Sequence, residues 1–149
     1  MTTLAQKISG WCALLVRLGL GATFLFSGAI KARASEEFAL ALIPFTILPA
    51  SWIGVFALAL AWTEILAGVL VVLPRVHRIG AAVIFSLALL FIAVLTWALS
   101  NDIIVSCGCF GNDEPPSARA MQLAILRDVG IACAAAFVLF LPGRRRPNT

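Results

Sequence analysis

Residues 52–73 read WIGVFALALAWTEILAGVLVVL, an apolar run that carries a single charge, Glu64. A helix rises about 1.5 Å per residue and the hydrocarbon layer of a bilayer is about 30 Å thick, so a run of this length can cross it. Within lipid the backbone must satisfy its own N–H and C=O groups, which makes the run a helix and not a strand. Three further runs of similar length follow the same logic: Trp11–Ile30, Ile79–Leu99 and Gln122–Leu141. The whole chain of 149 residues is 62% hydrophobic and 12% charged, against roughly 45–50% and about 25% in soluble chains. That excludes a soluble domain. The expected fold is an all-α membrane protein, one integral domain over 1–149. It is a four-transmembrane-helix antiparallel bundle with helices at about 11–30, 52–73, 79–99 and 122–141 and a basic tail over 142–149. Ala32-Arg33-Ala34 imitates a signal-peptide cleavage site. The length of the first run, its internal Arg17, and Lys31 and Arg33 just before the cut favour a retained helix.

Lys and Arg in short flanks set the orientation of such a bundle. Lys7, the pair Arg75 and Arg78, and Arg144-Arg145-Arg146 fall on one side of an up-down-up-down chain. That side is expected to be the cytoplasm, with both termini on it. The net charge of +4 follows from this asymmetry and calls for a lipid surface, not nucleic acid. Trp11, Trp52 and Trp97 fall at helix ends as interfacial anchors, whereas Trp62 is mid-span and reads as a packing residue. The outer connection 32–51 contains SEEFALALIPF, an amphipathic stretch closed by Pro44 and Pro49, expected to lie along the interface as a short helix.

The other outer connection holds Ser106-Cys107-Gly108-Cys109-Phe110-Gly111 and then the turn-rich Asn112-Asp113-Glu114-Pro115-Pro116-Ser117. On the outer side of a membrane disulfides persist. Residues i and i+2 of an extended chain lie nearly 7 Å apart and a disulfide prefers Cα atoms about 5.5–6 Å apart, so closing the pair needs a bend that Gly108 tolerates. A ring so small is expected to be strained, and strained exposed disulfides exchange readily. A structural staple would close a larger loop. A soft-metal site is the other reading of two thiolates, but a closed zinc site needs four ligands, and the sole histidine, His77, is on the opposite side. No metal is expected. Cys12 and Cys133 sit in transmembrane runs and read as small core residues.

Charges inside a membrane have a partner or a task. Arg17 and Glu64 lie some ~9 and ~13 Å from the cytoplasmic ends of their helices, depths at which they are expected to form a structural ion pair. Lys31 and Asp128 form a second candidate pair on the outer side. Arg127 is then expected to face the thiols and favour a thiolate, with Asp113 and Glu114 acting against it.

RLGLGATFLFSGAIKARASEEFALAL, then Glu64 and Gly68 in TEILAGVLVVLP, then CGCFG and LRDVG, together resemble the MauE family within the DoxX-like membrane proteins. The likeness spans most of the chain. It implies a multi-pass protein of the bacterial inner membrane with the Cys-Gly-Cys loop facing the periplasm. It further implies a redox protein that supports disulfide formation or maturation of periplasmic clients beside a thioredoxin-like partner such as MauD. The small subunit of methylamine dehydrogenase is the client in methylamine utilisation. Cys107 and Cys109 are then the catalytic pair, supported by Arg127 and Asp128, and quinone at the outer half of the bundle is a candidate electron acceptor. Two rivals remain: a non-catalytic membrane assembly factor and a soft-metal-handling membrane protein.

The orientation has a direct check. After reduction, Cys107 and Cys109 are expected to react in intact cells with a membrane-impermeant thiol reagent, and an Arg145→Cys variant is not.

Overall fold

A computed structural model of the chain describes residues 2–43, 49–104 and 117–140. Cys107, Cys109, Pro44 and the basic tail 142–149 lie outside the described residues. Five helices account for nearly all the rest: α1 (Thr2–Arg33), α2 (Ser35–Leu42), α3 (Ala50–Val72), α4 (His77–Ser100) and α5 (Ala118–Phe140). No strand occurs among the described residues. Four of the helices are long and apolar enough to cross a membrane: Gly10–Arg33 within α1, Ser51–Val72 within α3, α4 and α5. The short α2 is the helix expected ahead of Pro44, and it packs across the start of α3.

Contacts of α1 with α3 pair rising numbers on one helix with falling numbers on the other, as Arg17 with Val72 and Ser27 with Glu64 show. The two are antiparallel. A short turn from Leu73 to Val76 then reverses the chain into α4, and Pro74 is where α3 has to stop, since it has no N–H to continue the ladder. The largest contacts are α1 on α3 and α4 on α5, with α3 on α4 joining the two pairs, while α1 meets α5 more lightly. One end of the bundle thus carries α2, the end of α1, the start of α3, the end of α4 and the start of α5. The other carries the start of α1 and the α3–α4 turn.

At the α2 end α4 closes with a complete C-terminal cap. Ile103 N–H donates to Ala98 O at 3.0 Å and Asp102 N–H to Leu99 O at 3.4 Å, with Asp102 in the left-handed region at φ 56°. This is the Schellman arrangement, and an aspartate is among the few non-glycine residues that accept that conformation readily. Ile103 packs back on Leu95, Ala98, Met121 and Ala124, the apolar cluster that ties α4 to α5 at this end.

The buried stripes are built from small residues. On α3 they run Ala57, Leu60, Ala61, Glu64, Ala67, Gly68 and Val71, a helical period of three and four. Large apolar side chains point outward instead: Trp52, Trp62, Leu66 and Leu126 are all more than half exposed in the chain by itself. Lipid tails are as apolar as leucine, so helices associate here through close packing and hydrogen bonds and not by hiding bulk. Two expectations are corrected by this. Trp62 faces outward and does not pack in the core. Cys12 and Cys133 are likewise exposed on the outer faces of α1 and α5. For Cys133 the helical period is the cause, because it groups Cys133 with Val129, Gly130 and Phe137, on the side opposite Asp128, Ala132 and Ala135. Outward hydroxyls along the spans bond back to their own helix: Thr63 Oγ1 donates to Ala59 O at 2.7 Å and Ser86 Oγ to Ala82 O at 3.0 Å.

The α1–α3 contact is closely packed at its glycines. A Cβ added at Gly28 would stand 2.9 Å from Ala61 O and 2.8 Å from Ile65 Cγ1, and one at Gly68 would stand 3.0 Å from Gly21 O. Gly28→Ala is therefore expected to cost about 1–3 kcal/mol, the usual penalty for overpacking. Gly54→Ala, whose Cβ would meet nothing within 4 Å, is expected to cost nothing. Thermal unfolding of both variants in detergent separates the two.

Candidate functional site: a charge-balanced cluster inside the bundle

Lys31, Glu64 and Asp128 are the three buried charged residues among those described, and they come from three different helices. Their arrangement starts from a local property of α1. Every Cα–Cβ bond of an α-helix tilts toward its N-terminus, so long side chains lean back along the helix. Lys31, two residues from the end of α1, therefore leans down into the bundle. There its Nζ donates to Glu64 Oε1. Ser27, one turn earlier on the same face, donates through Oγ to Glu64 Oε2 at 3.0 Å. Both oxygens of Glu64 are thus satisfied. The Lys31 ammonium also lies against two aromatic rings, 5.3 Å from the centroid of Phe38 on α2 and 4.8 Å from that of Phe91 on α4. Such cation–π contacts strengthen when desolvated. In this way α2 closes the α2 end over the ion pair, and Phe38 belongs to the same core cluster as Leu20 and Phe24.

The same backward lean explains why Arg17 does not pair with Glu64, which corrects the expectation for these two. Arg17 leans away from Glu64, toward the end of α3. Its Nε donates to Val71 O at 2.9 Å and its Nη2 to Val72 O at 2.7 Å. The last carbonyls of a helix lack intrahelical donors, and Pro74 prevents the chain from supplying them by continuing. Arg17 fills that role and places a cation at the negative end of the α3 dipole. It is structural, as expected, but its partner is a helix terminus.

On α5, Arg127 donates through Nε at 2.9 Å and Nη2 at 2.8 Å, both to Asp128 Oδ1. Asp128 Oδ2 is buried and has no hydrogen-bond partner. The close ion pairs among the described residues are Lys31–Glu64 and Arg127–Asp128, because Glu64 lies where the lysine leans and Arg127 neighbours Asp128 in sequence, while Lys31 still acts on the Asp128 carboxylate through its charge. Nothing described bears on whether Arg127 faces the thiols, since these lie outside the described residues.

The two pairs line one small cavity of about 20 Å³. Its polar wall consists of Thr23, Ser27, Lys31, Glu64, Arg127 and Asp128. Phe24, Ala88, Phe91 and Ile131 complete it. A volume of this size holds about one water-sized group. The formal charges cancel, two cations against two carboxylates, which is what a low-dielectric interior requires. Among the described residues no group of three His, Cys, Asp or Glu side chains is placed to hold a metal. Met121, the nearest soft group in sequence to the cysteine pair, is buried in the α4–α5 cluster.

Bundle and cluster together define a multi-pass helical membrane protein with a polar, charge-compensated centre. The chain belongs to the MauE family: the family described as methylamine utilisation protein MauE matches residues 9–141. It is therefore a membrane protein of a family implicated in methylamine utilisation. No curated protein and no solved structure matches it.

Lys31, Glu64, Arg127 and Asp128 are all singled out by the sequence as charges in or at the ends of apolar runs, Glu64 as the single charge of the 52–73 run. Ser27 was missed. The available signal was its position four residues before Lys31, which puts both on one helical face.

If Lys31 and Glu64 are coupled as described, removing either alone is expected to cost about 3–5 kcal/mol by leaving a buried charge unpaired, and removing both considerably less. Lys31→Met, Glu64→Gln and the double variant, unfolded thermally in detergent, give the coupling. Arg17→Met combined with Glu64→Gln is expected to be additive within about 0.5 kcal/mol, because the two share no partner.

Proposed function

We propose that the chain is a thiol–disulfide redox protein of the bacterial cytoplasmic membrane, with Cys107 and Cys109 as its working pair. The observation that carries this reading is the spacing Cys107-Gly108-Cys109 in a MauE-family chain, on the segment that joins the α2-end termini of α4 and α5. A two-residue spacing favours a small, labile disulfide over a staple. Lys and Arg asymmetry supports a periplasmic position for this end of the bundle.

In this reading a thiolate of a thioredoxin-like periplasmic partner attacks one sulfur of the Cys107–Cys109 disulfide. A mixed disulfide forms and the other cysteine leaves as a thiolate. The partner's second thiol then attacks the mixed disulfide, so the partner leaves oxidised and the Cys107/Cys109 pair is left as a dithiol. The partner passes its disulfide to periplasmic clients, with the methylamine dehydrogenase small subunit as the client in methylamine utilisation. The dithiol regains its disulfide by giving two electrons and two protons to a membrane quinone, which becomes the hydroquinone. The helix bundle anchors the pair at the membrane, where both the partner and the quinone pool are within reach.

A single-cysteine variant cannot complete exchange. Cys107→Ser or Cys109→Ser is expected to accumulate a mixed disulfide with the partner, one of the two far more than the other. The double variant is expected to accumulate none, and Cys12→Ser with Cys133→Ser to leave the adduct unchanged. Non-reducing gels and mass spectrometry of membranes read the adduct. Normal maturation of the client by the double variant would favour a non-catalytic assembly factor instead.

A further inference from the structure

Asp128 Oδ2 is an acceptor with no donor. It is buried on a residue 2% exposed, and Asp128 lines the cavity between α1, α3, α4 and α5. A buried carboxylate oxygen without a hydrogen bond is costly, and native structures contain few such atoms. Several of the donors around it already have other acceptors. Ser27 donates to Glu64 Oε2, Thr23 donates to Gly19 O at 2.9 Å, and the two Arg127 donors described above go to Oδ1. The Lys31 ammonium is bound to Glu64 and flanked by the Phe38 and Phe91 rings. What the wall offers to an incoming group at this point is acceptor capacity, so the group that fits must bring its own proton.

Three further constraints narrow its class. The cluster is already neutral, so a charged ligand would upset the balance in a low dielectric. Phe24 and Phe91 supply flat apolar wall beside the carboxylate. The part-buried members of the lining are Thr23 and Ser27 on α1, Arg127 and Ile131 on α5 and Phe91 on α4, and α1 and α5 are the pair of helices with the lighter contact. The mouth therefore opens along the α1–α5 seam, toward lipid. A cavity of about 20 Å³ takes one hydroxyl, while the ring that bears it lies in the seam.

We propose that this cavity is a binding site for the reduced, hydroxyl-bearing form of a membrane quinone, with the hydroquinone O–H donating to Asp128 Oδ2. The proposal rests on the quinone-acceptor reading above and deepens it. A quinone carbonyl is an acceptor and meets another acceptor here, so the site discriminates between the two redox forms. Its depth agrees with this assignment. Asp128 lies ten residues into α5, about 15 Å from the α2 end at helical rise. That is well below the ends of the segment that bears the thiols, so the site suits a departing product and not the reacting molecule.

The test is binding of a short-chain hydroquinone and, separately, of its oxidised quinone to the full chain in lipid nanodiscs, measured anaerobically by titration calorimetry. The unmodified protein is expected to bind the hydroquinone at least ten-fold more tightly than the quinone. Asp128→Asn is expected to reverse the preference: the carboxamide oxygen keeps the Arg127 contact and its NH2 turns to the cavity as a donor. Thr23→Leu keeps all four charges and fills the mouth, so it is expected to lose both ligands; it serves if Asp128→Asn does not fold. Cys107→Ser/Cys109→Ser is expected to bind as the unmodified protein does, which separates this site from the thiol chemistry. A double variant that binds normally but accumulates normal client would overturn the thiol reading and leave the site standing. Equal affinity for the two forms, no binding of either, or hydroquinone binding unchanged by Thr23→Leu would overturn the site, leaving a cavity for water only.

Discussion

The bundle depends on a lysine and a glutamate that meet across α1 and α3 out of reach of water. In the bilayer an unpaired charge at this depth costs several kcal/mol, and its pairing sets how the helices must stand. Lys31 reaches Glu64 only if α1 and α3 are antiparallel, closely packed and in one register. Glycines at 21, 28 and 68 provide the close packing, since a side chain at any of them would collide with the facing helix. The ion pair and the glycines are two halves of one constraint. A buried ion pair contributes little net stability compared with a well-packed apolar substitute, and what it adds is selection among alternative registers.

Arg17 works at the other end of the same interface. It closes the terminal carbonyls of α3 just where Pro74 stops the helix, so two basic residues of α1, fourteen positions apart and on one face, clamp α3 at two levels. Between them lie Leu20, Phe24 and the small residues of the contact. The polar atoms of this interface are satisfied by specific partners, as a lipid environment demands. Against that background the unpartnered oxygen of Asp128 stands out.

The cluster also gives the short helix α2 a role beyond lying at the surface. Phe38 sits over the Lys31 ammonium and within the main core cluster, so α2 is fastened to the bundle by the same residue that orders the centre. The Schellman cap at Asn101–Ile103 and the Met121 cluster hold the ends of α4 and α5 at this same end. These contacts hold together the two helix ends that the segment carrying Cys107 and Cys109 joins.

The amino-acid sequence determined the number, length and alternation of the spanning helices, because hydrocarbon thickness and backbone hydrogen bonding leave apolar runs of this length no other structure. It also marked Glu64, Lys31, Arg127 and Asp128 as residues with a task, since a charge in such a run is never neutral to the fold. Only the tertiary structure decided who pairs with whom. Linear depth put Arg17 opposite Glu64, but side chains on α1 lean toward its N-terminus, which carries Arg17 away from Glu64 and Lys31 onto it. The facing of Trp62, Cys12 and Cys133 was illegible for a related reason. In water, hydrophobicity distinguishes the inner face of a helix from the outer one, whereas in lipid both faces are apolar and the small residues go inside. Which apolar residue packs and which meets lipid is then settled by interhelical contact alone.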